Sequence, residues 1–443
     1  MTIADLKKKY PLIDWLGYIN SKMFGGIKFN DSEVVIVQQP TYYDQLQGIL
    51  NQTEKRTIAN YIIWRDLADY IPYLTADLKK IEFEFFKTIT GKAVRTARWS
   101  DCVKGVAGMF SIAVSSMYVR EHFRDQRIKS DISQIITEIS SEFEKIIHNN
   151  DWMDSNTKQE ALKKLRSMHS NIAYPIELLS DSTVETYYKN LTLNETNYLQ
   201  SAINIDNHGK EFVCSRFHKP VNRTDWVDHA SSIYVNANYN GKTNSIQIIA
   251  AMLQGHFYSA DRPNYMNYAS IGYVIGHEMT HGFDDLGRLY DSDGNLVDWW
   301  QPETTSAFFE KKKCIIEQYG NYTDTSINMN VNGVNTQGEN IADNGGLKLA
   351  YRAYMSAETK AGEDDPILPG LPFTREQLFW ISAAQTWCSV ERPEIKKIMI
   401  LTDNHAVGKF RVLGTVSNLV EFSKDFNCPI NSPMNPIRKC EIW

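Results

Sequence analysis

The sequence holds no apolar run approaching the ~18 to 20 residues that a membrane-spanning helix needs. Its first residues, MTIADLKKKYPLIDW, lack the apolar stretch and small-residue cleavage site of a signal peptide, so no address label is expected in them. Positive charge is not in excess either. Lys and Arg number 47 against 53 Asp and Glu, for a net charge of -6. The lysine runs Lys7-Lys8-Lys9 and Lys311-Lys312-Lys313 are short enough to be solvated faces, and no nucleic-acid partner is expected. The six cysteines, Cys102, Cys214, Cys314, Cys388, Cys428 and Cys440, form no CxxC pair. A zinc ribbon or a thioredoxin-type site is thereby excluded, leaving buried thiols or long-range disulfides. Internal repeats and low-complexity segments are absent as well.

What is present suits a globular protein of two or three domains: 443 residues, 42% hydrophobic and 23% charged. Sequons occur at Asn30, Asn51, Asn190, Asn194, Asn222 and Asn321, about as many as chance supplies in so asparagine-rich a chain. The first third reads as helices. Ile128, Ile132, Ile135, Ile136, Ile139, Phe143, Ile146 and Ile147 recur at the spacing of one buried helical face. Asp154 or Ser155 can cap a second helix carrying Ala161, Leu162, Leu165 and Met168, and Pro175 follows as a natural boundary. Further on, residues 232–239 alternate apolar and polar, Asn240-Gly241 offers a turn, and Ile246 and Ile248 alternate after it. That pattern predicts a hairpin, serving either as plain structure or as an edge that pairs with an extended peptide.

The stretch VIGHEMTHGFDD, residues 274–285, carries the chemistry. If residues 270–283 are helical, His277 and His281 lie one turn apart and can share a zinc ion. Glu278 is offset by one position, within reach of a water rather than of the metal. Bound zinc lowers the pKa of such a water towards ~7, and a neighbouring carboxylate can take its proton. A third protein ligand is still required. The zinc class that places a histidine six residues beyond the second is excluded, because Gly287 stands there and Asp284 replaces its glycine. GENIADNGG, residues 338–346, offers Glu339 as the third ligand. Asp343, one turn on, can orient a ligand histidine, as Asp284 or Asp285 can orient the other. In residues 402–411, TDNHAVGKFR, His405 and Arg411 are the donors that an oxyanion and a substrate carbonyl require, although the spacing alone equally suits surface residues.

Together with Val235-Asn236-Ala237, Asp298-Trp299-Trp300, Ser432-Pro433-Met434-Asn435-Pro436 and the terminal Cys440-Glu441-Ile442-Trp443, these stretches resemble the neprilysin and endothelin-converting-enzyme family of zinc peptidases. The resemblance implies a mainly α fold: a thermolysin-like catalytic region with a small hairpin or sheet over residues 176–443, and a partial helical lid over residues 1–175. It implies one zinc ion held by His277, His281 and Glu339, with Glu278 as general base and Asp343 as the family's catalytic aspartate. His405 falls on the transition-state stabiliser and Arg411 on the arginine that grips substrate backbone. Asn236 and Ala237 match the strand that pairs with the peptide, and Phe257, Val274 and Trp387 the apolar pocket after the cut.

Short peptides, cleaved on the amino side of hydrophobic residues outside the cell or at its surface, are the expected substrates. The family's anchor and first several hundred residues precede the point where Met1 falls, so membrane contact is expected only through that missing segment. Family pairing joins Cys314 to Cys440, sets the partners of Cys102, Cys388 and Cys428 in the missing segment, and has no counterpart for Cys214. Asn238, in place of an aromatic, and Gly255-His256, in place of a proline pair, depart from the family pattern. The alternatives are a non-catalytic ectodomain that keeps the zinc site while binding peptides or a partner, and a hydrolase acting on something other than peptides. Oligomeric state is left open.

Overall fold

The computed structural model of the chain describes residues 1–125, 127–361 and 365–443. Helices dominate it, with one three-stranded and one two-stranded sheet, in accord with the mainly α class expected. The chain forms two compact units. One comprises Met1–Thr88, Lys92–Met109 and Glu185–Pro220; the other Ile89–Gly91, Phe110–Val184 and Val221–Trp443. Among the described residues no single helix is long and apolar enough to cross a membrane.

The first unit is helical. Its opening helix, Ile3–Lys9, starts in a capping box: Thr2 Oγ1 accepts from the Asp5 N–H while the Asp5 carboxylate accepts from the Thr2 N–H. Leu6, Tyr10 and Trp15 form a small core, with Ile13, Val35, Val37 and Tyr43 packed around it.

The second unit contains every candidate site residue. The isoleucine periodicity becomes the helix Arg127–Asn149, which buries Ile132, Ile135, Ile136, Ile139, Phe143, Ile146 and Ile147. Asp154 caps the following helix, Ser155–Arg166, by accepting from the N–H groups of Asn156 and Thr157. Phe143 meets Phe283 and Trp443 edge-on, at centroid distances of 5.1 and 5.7 Å. This aromatic cluster ties the long helix to the chain just after His281 and to the carboxy terminus. The Cys314–Cys440 disulfide, with Cα atoms 5.5 Å apart, secures the same terminus.

Three strands, β1 (His169–Ala173), β2 (Ala237–Asn240) and β3 (Ser245–Ile249), form the sheet in the order β1-β3-β2. β3 is central and wholly buried, parallel to β1 and antiparallel to β2. The hairpin therefore exists, but its first strand begins at Ala237 rather than at residue 232. The ladder stops at the pair Ala237–Ile248 because the chain leaves β3 at Ile249 for the turn Ala250–Met252. Beyond it one bond remains, from the Ala251 N–H to the Ser232 carbonyl, 3.0 Å. Among the described residues β2 pairs on one side only, so its other edge is open.

One buried cation shapes the chain after the histidine motif. Lys164 is wholly buried, and its Nζ donates to the carbonyls of Gly282, Gly287 and Tyr290 at 2.6, 2.7 and 2.7 Å. Burial pulls the ammonium down to about 7, against the opposing pull of the Asp284 and Asp291 carboxylates. Replacing Lys164 by Met removes the donor shared by these three carbonyls. Gly287 and Tyr290 keep one donor each, the Tyr290 N–H and Trp299 Nε1, both at 3.0 Å. The Gly282 carbonyl is left without one, at about 1–3 kcal/mol, partly offset because the ammonium is no longer desolvated. A net loss of about 1 kcal/mol is expected in urea unfolding, at an unchanged slope. A midpoint equal to the parent's would show that water takes over the Gly282 carbonyl.

Candidate active site

The histidine motif lies on a helical run from Asn264 to His281, in which Tyr268–Gly272 forms a π turn directly before the α-helix Tyr273–His281. Such turns recur at functional sites because they rotate the following residues around the axis. Glu339 and Asp343 stand on the helix Gln337–Ala361. The two helices touch at Gly276 and Gly346, where a Cβ on Gly276 would lie 2.6 Å from the Gly346 carbonyl oxygen. Only glycine permits that approach, and it brings the two motifs together.

At their meeting point three ligand atoms converge. His277 Nε2 and His281 Nε2 are 2.9 Å apart, and Glu339 Oε2 lies 3.2 and 3.3 Å from them. Glu339 Oε2 is buried and makes no hydrogen bond of its own. Zinc bound to N and O atoms at about 2.0–2.2 Å in a tetrahedral set requires ligand atoms roughly 3.3 Å apart. The donor set and its spacing fit that ion. Burial alone would raise the Glu339 carboxyl, but the close approach of the His277, His281 and His405 imidazoles outweighs it and holds the group well below the usual carboxylate range.

Carboxylates stand behind both histidines. Asp284 Oδ2 lies 2.6 Å from His281 Nδ1, while its Oδ1 accepts from the N–H groups of Leu286 and Gly287. Of the two aspartates offered for this place, Asp284 fills it. Asp343 Oδ1 is 2.9 Å from His277 Nδ1, within ion-pair reach although not aligned as a hydrogen bond. The same Asp343 receives two bonds from Arg411, Nε to Oδ2 at 2.7 Å and Nη2 to Oδ1 at 2.6 Å. Arg411 also stacks on Trp387, its Cζ 3.6 Å from the ring centroid. Neither bond to Asp343 uses Nη1.

All of these groups except Asp343, which is wholly buried, line one cavity of about 560 Å³. Glu278 is 6% exposed in its wall; burial pushes its carboxyl up, against the pull of the His277 and His281 imidazoles. Asn236 and Ala237 line the side formed by β2, and Phe257, Val274 and Trp387 an apolar side. His256 is exposed and Phe257 beside it reaches the cavity. His405 places Nε2 3.1 Å from Glu339 Oε2, and its Nδ1 lies 2.9 Å from Asp403 Oδ1. Sequence reasoning did not single out Asp403, although an aspartate two residues before a histidine is a legible orienting signal. It also missed Asn404, whose Nδ2 donates to Glu339 Oε1 at 3.0 Å. No local pattern announces that contact, since 65 residues separate the partners.

Models of peptidase family M13 match residues 1–175 and 236–442. Neprilysin-2 of Drosophila melanogaster is 43% identical over 453 aligned residues, covering 100% of this chain and 58% of its own length. Endothelin-converting enzyme 1 of Bos taurus is 37% identical, again over 100% of this chain and 58% of its own length. This chain thus spans somewhat more than half the length of either relative. Among solved structures, the Mycobacterium tuberculosis zinc metalloprotease ZMP1 in complex with an inhibitor superposes with a TM-score of 0.84 at 31% identity. That match covers 100% of this chain and 65% of ZMP1.

Proposed function

The chain belongs to peptidase family M13, and from that premise we propose that it is a zinc endopeptidase cutting short peptides on the amino side of hydrophobic residues. The observation that carries the proposal is the convergence of His277, His281 and Glu339 on one point in a cavity that Glu278 also lines. Those three residues would hold one zinc ion, which when bound would supply polarisation of a carbonyl and acidification of a water. The chain's own groups do the rest.

The open edge of β2 supplies unpaired backbone groups along which an extended peptide lies, with Asn236 and Ala237 fixing its register. Phe257, Val274 and Trp387 receive the hydrophobic side chain that follows the cut. Glu278 accepts the proton of the attacking water and delivers it to the departing amine. His405 donates to the oxygen on which negative charge develops, and Asp403 holds its ring in place. Arg411 keeps Nη1 for a substrate carbonyl. Asp343 stays ionised beside His277 and orients that ring. Burial would raise its carboxyl, but the adjacent Arg411 guanidinium holds it well below the usual range, which disfavours a proton-donating role. Action outside the cell or at its surface, as the family resemblance implies, completes the proposal.

Metal content of the purified chain, measured beside cleavage of a quenched peptide library, tests the proposal. One zinc per chain, with cuts before hydrophobic residues that a chelator abolishes, is the expected result. Zinc without cleavage would favour the non-catalytic peptide-binding reading, and ester turnover without peptide cleavage the non-peptide hydrolase. A folded chain that binds no zinc overturns the proposal.

A further inference from the structure

A glutamate ligand has two equivalent oxygens and three torsions, so nothing in its chemistry decides which oxygen meets a metal. In this chain the two oxygens of Glu339 are not equivalent. Oε1 accepts the Asn404 Nδ2–H at 3.0 Å, while Oε2 has no hydrogen bond and faces the Nε2 atoms of His277 and His281. A donor on Oε1 fixes the carboxylate plane, occupies one oxygen and leaves the more basic one to the site.

The donor is itself held. Asn335 Nδ2 donates to the Asp403 carbonyl at 2.6 Å, and Asp403 Oδ1 accepts from the His405 N–H at 2.8 Å. Asn335 sits just before the helix Gln337–Ala361 that carries Glu339. The segment bearing Asn404 and the start of the glutamate helix are therefore tied together twice, once through Asn335 and once through Asn404. Asn404→Leu keeps the branched outline of the side chain and loses the donor. Asp keeps the shape and sets an acceptor against Glu339 Oε1.

We propose that Asn404 is a positioning residue that fixes Glu339 to offer a single oxygen, Oε2, to the metal. The inference rests on the reading of His277, His281 and Glu339 as zinc ligands. Its test compares the full chain with Asn404→Leu and Asn404→Asp in three measurements. These are zinc dissociation constants by competition with a chromophoric chelator, the visible absorption of the Co²⁺-loaded proteins, and thermal unfolding of the metal-free proteins. Loss of an outer contact to a metal ligand typically weakens binding 10–100-fold. Asn404→Leu is expected to weaken zinc by about 10-fold and Asn404→Asp by about 100-fold. Both should change the Co²⁺ spectrum, and neither should lower metal-free stability. Zinc affinities within about two-fold of the parent, with unchanged Co²⁺ spectra, would overturn the proposal. So would an affinity loss matched by an equal loss of metal-free stability, which marks a merely structural residue. If the parent itself binds no zinc, the ligand reading falls and the role of Asn404 falls with it.

Discussion

Replacing Glu278 by Gln is expected to leave zinc bound and to cut peptide turnover by two to four orders of magnitude, the usual worth of a positioned general base. That loss corresponds to about 2.7–5.4 kcal/mol of barrier. Glutamine keeps the size and the hydrogen-bonding outline of the side chain and has no basic oxygen. The residue follows His277 directly, so on the helix it is turned away from the face shared by His277 and His281 while still lining the cavity. Its surroundings suit the task. Burial pushes the carboxyl up, two imidazoles pull against it, and the balance leaves a base above the ordinary carboxylate value. Turnover numbers on a single quenched peptide, with zinc measured on the same samples, check both halves of the expectation. Turnover within ten-fold of the parent would mean that another group takes the proton. Loss of zinc would mean that Glu278 is a ligand after all.

Much of this site is legible in the sequence because its chemistry is local. His277 and His281, and again Glu339 and Asp343, each sit one helical turn apart, and four-residue spacing reports a shared face directly. The isoleucines of 128–147 gave the buried face of Arg127–Asn149 for the same reason. What escaped is what depends on long-range placement. β1, with the sequence HSNIA, carries no alternation and exists because it lies parallel to β3, some 76 residues later by its register of His169 with Ser245. Lys164 looks like any lysine of an amphipathic helix until three carbonyls of residues 282–290 close around it. Arg411 and Asp343 each received a role from the sequence reading, but nothing in either motif says that the two side chains pair.

That pair makes the largest stability prediction. Asp343 is wholly buried and Arg411 is 7% exposed, and two short bonds hold them together. Removing one member of such a pair strands the other as a buried, uncompensated charge, at about 3–5 kcal/mol. Asp343→Ala is expected to lose that much in urea unfolding at neutral pH. It should also weaken zinc by about 10–100-fold, because His277 Nδ1 loses the carboxylate behind it. Arg411→Leu strands Asp343 in turn. The double variant Asp343→Ala/Arg411→Leu should therefore lose much less than the sum of the single losses, a coupling that a double-mutant cycle reads directly. The pH dependence has a fixed sign. The Asp343 carboxyl lies lower in the folded chain than the ~3.9 of an unperturbed aspartate, so its contribution is complete above that value and is lost as pH falls towards the folded one. The carboxylate's own share of the gap between parent and Asp343→Ala should accordingly be complete above about pH 5 and shrink below about pH 4. A gap that persists unchanged to pH 2 would assign the loss to the cavity left by the side chain, and the ion pair would not be what holds Arg411 in place.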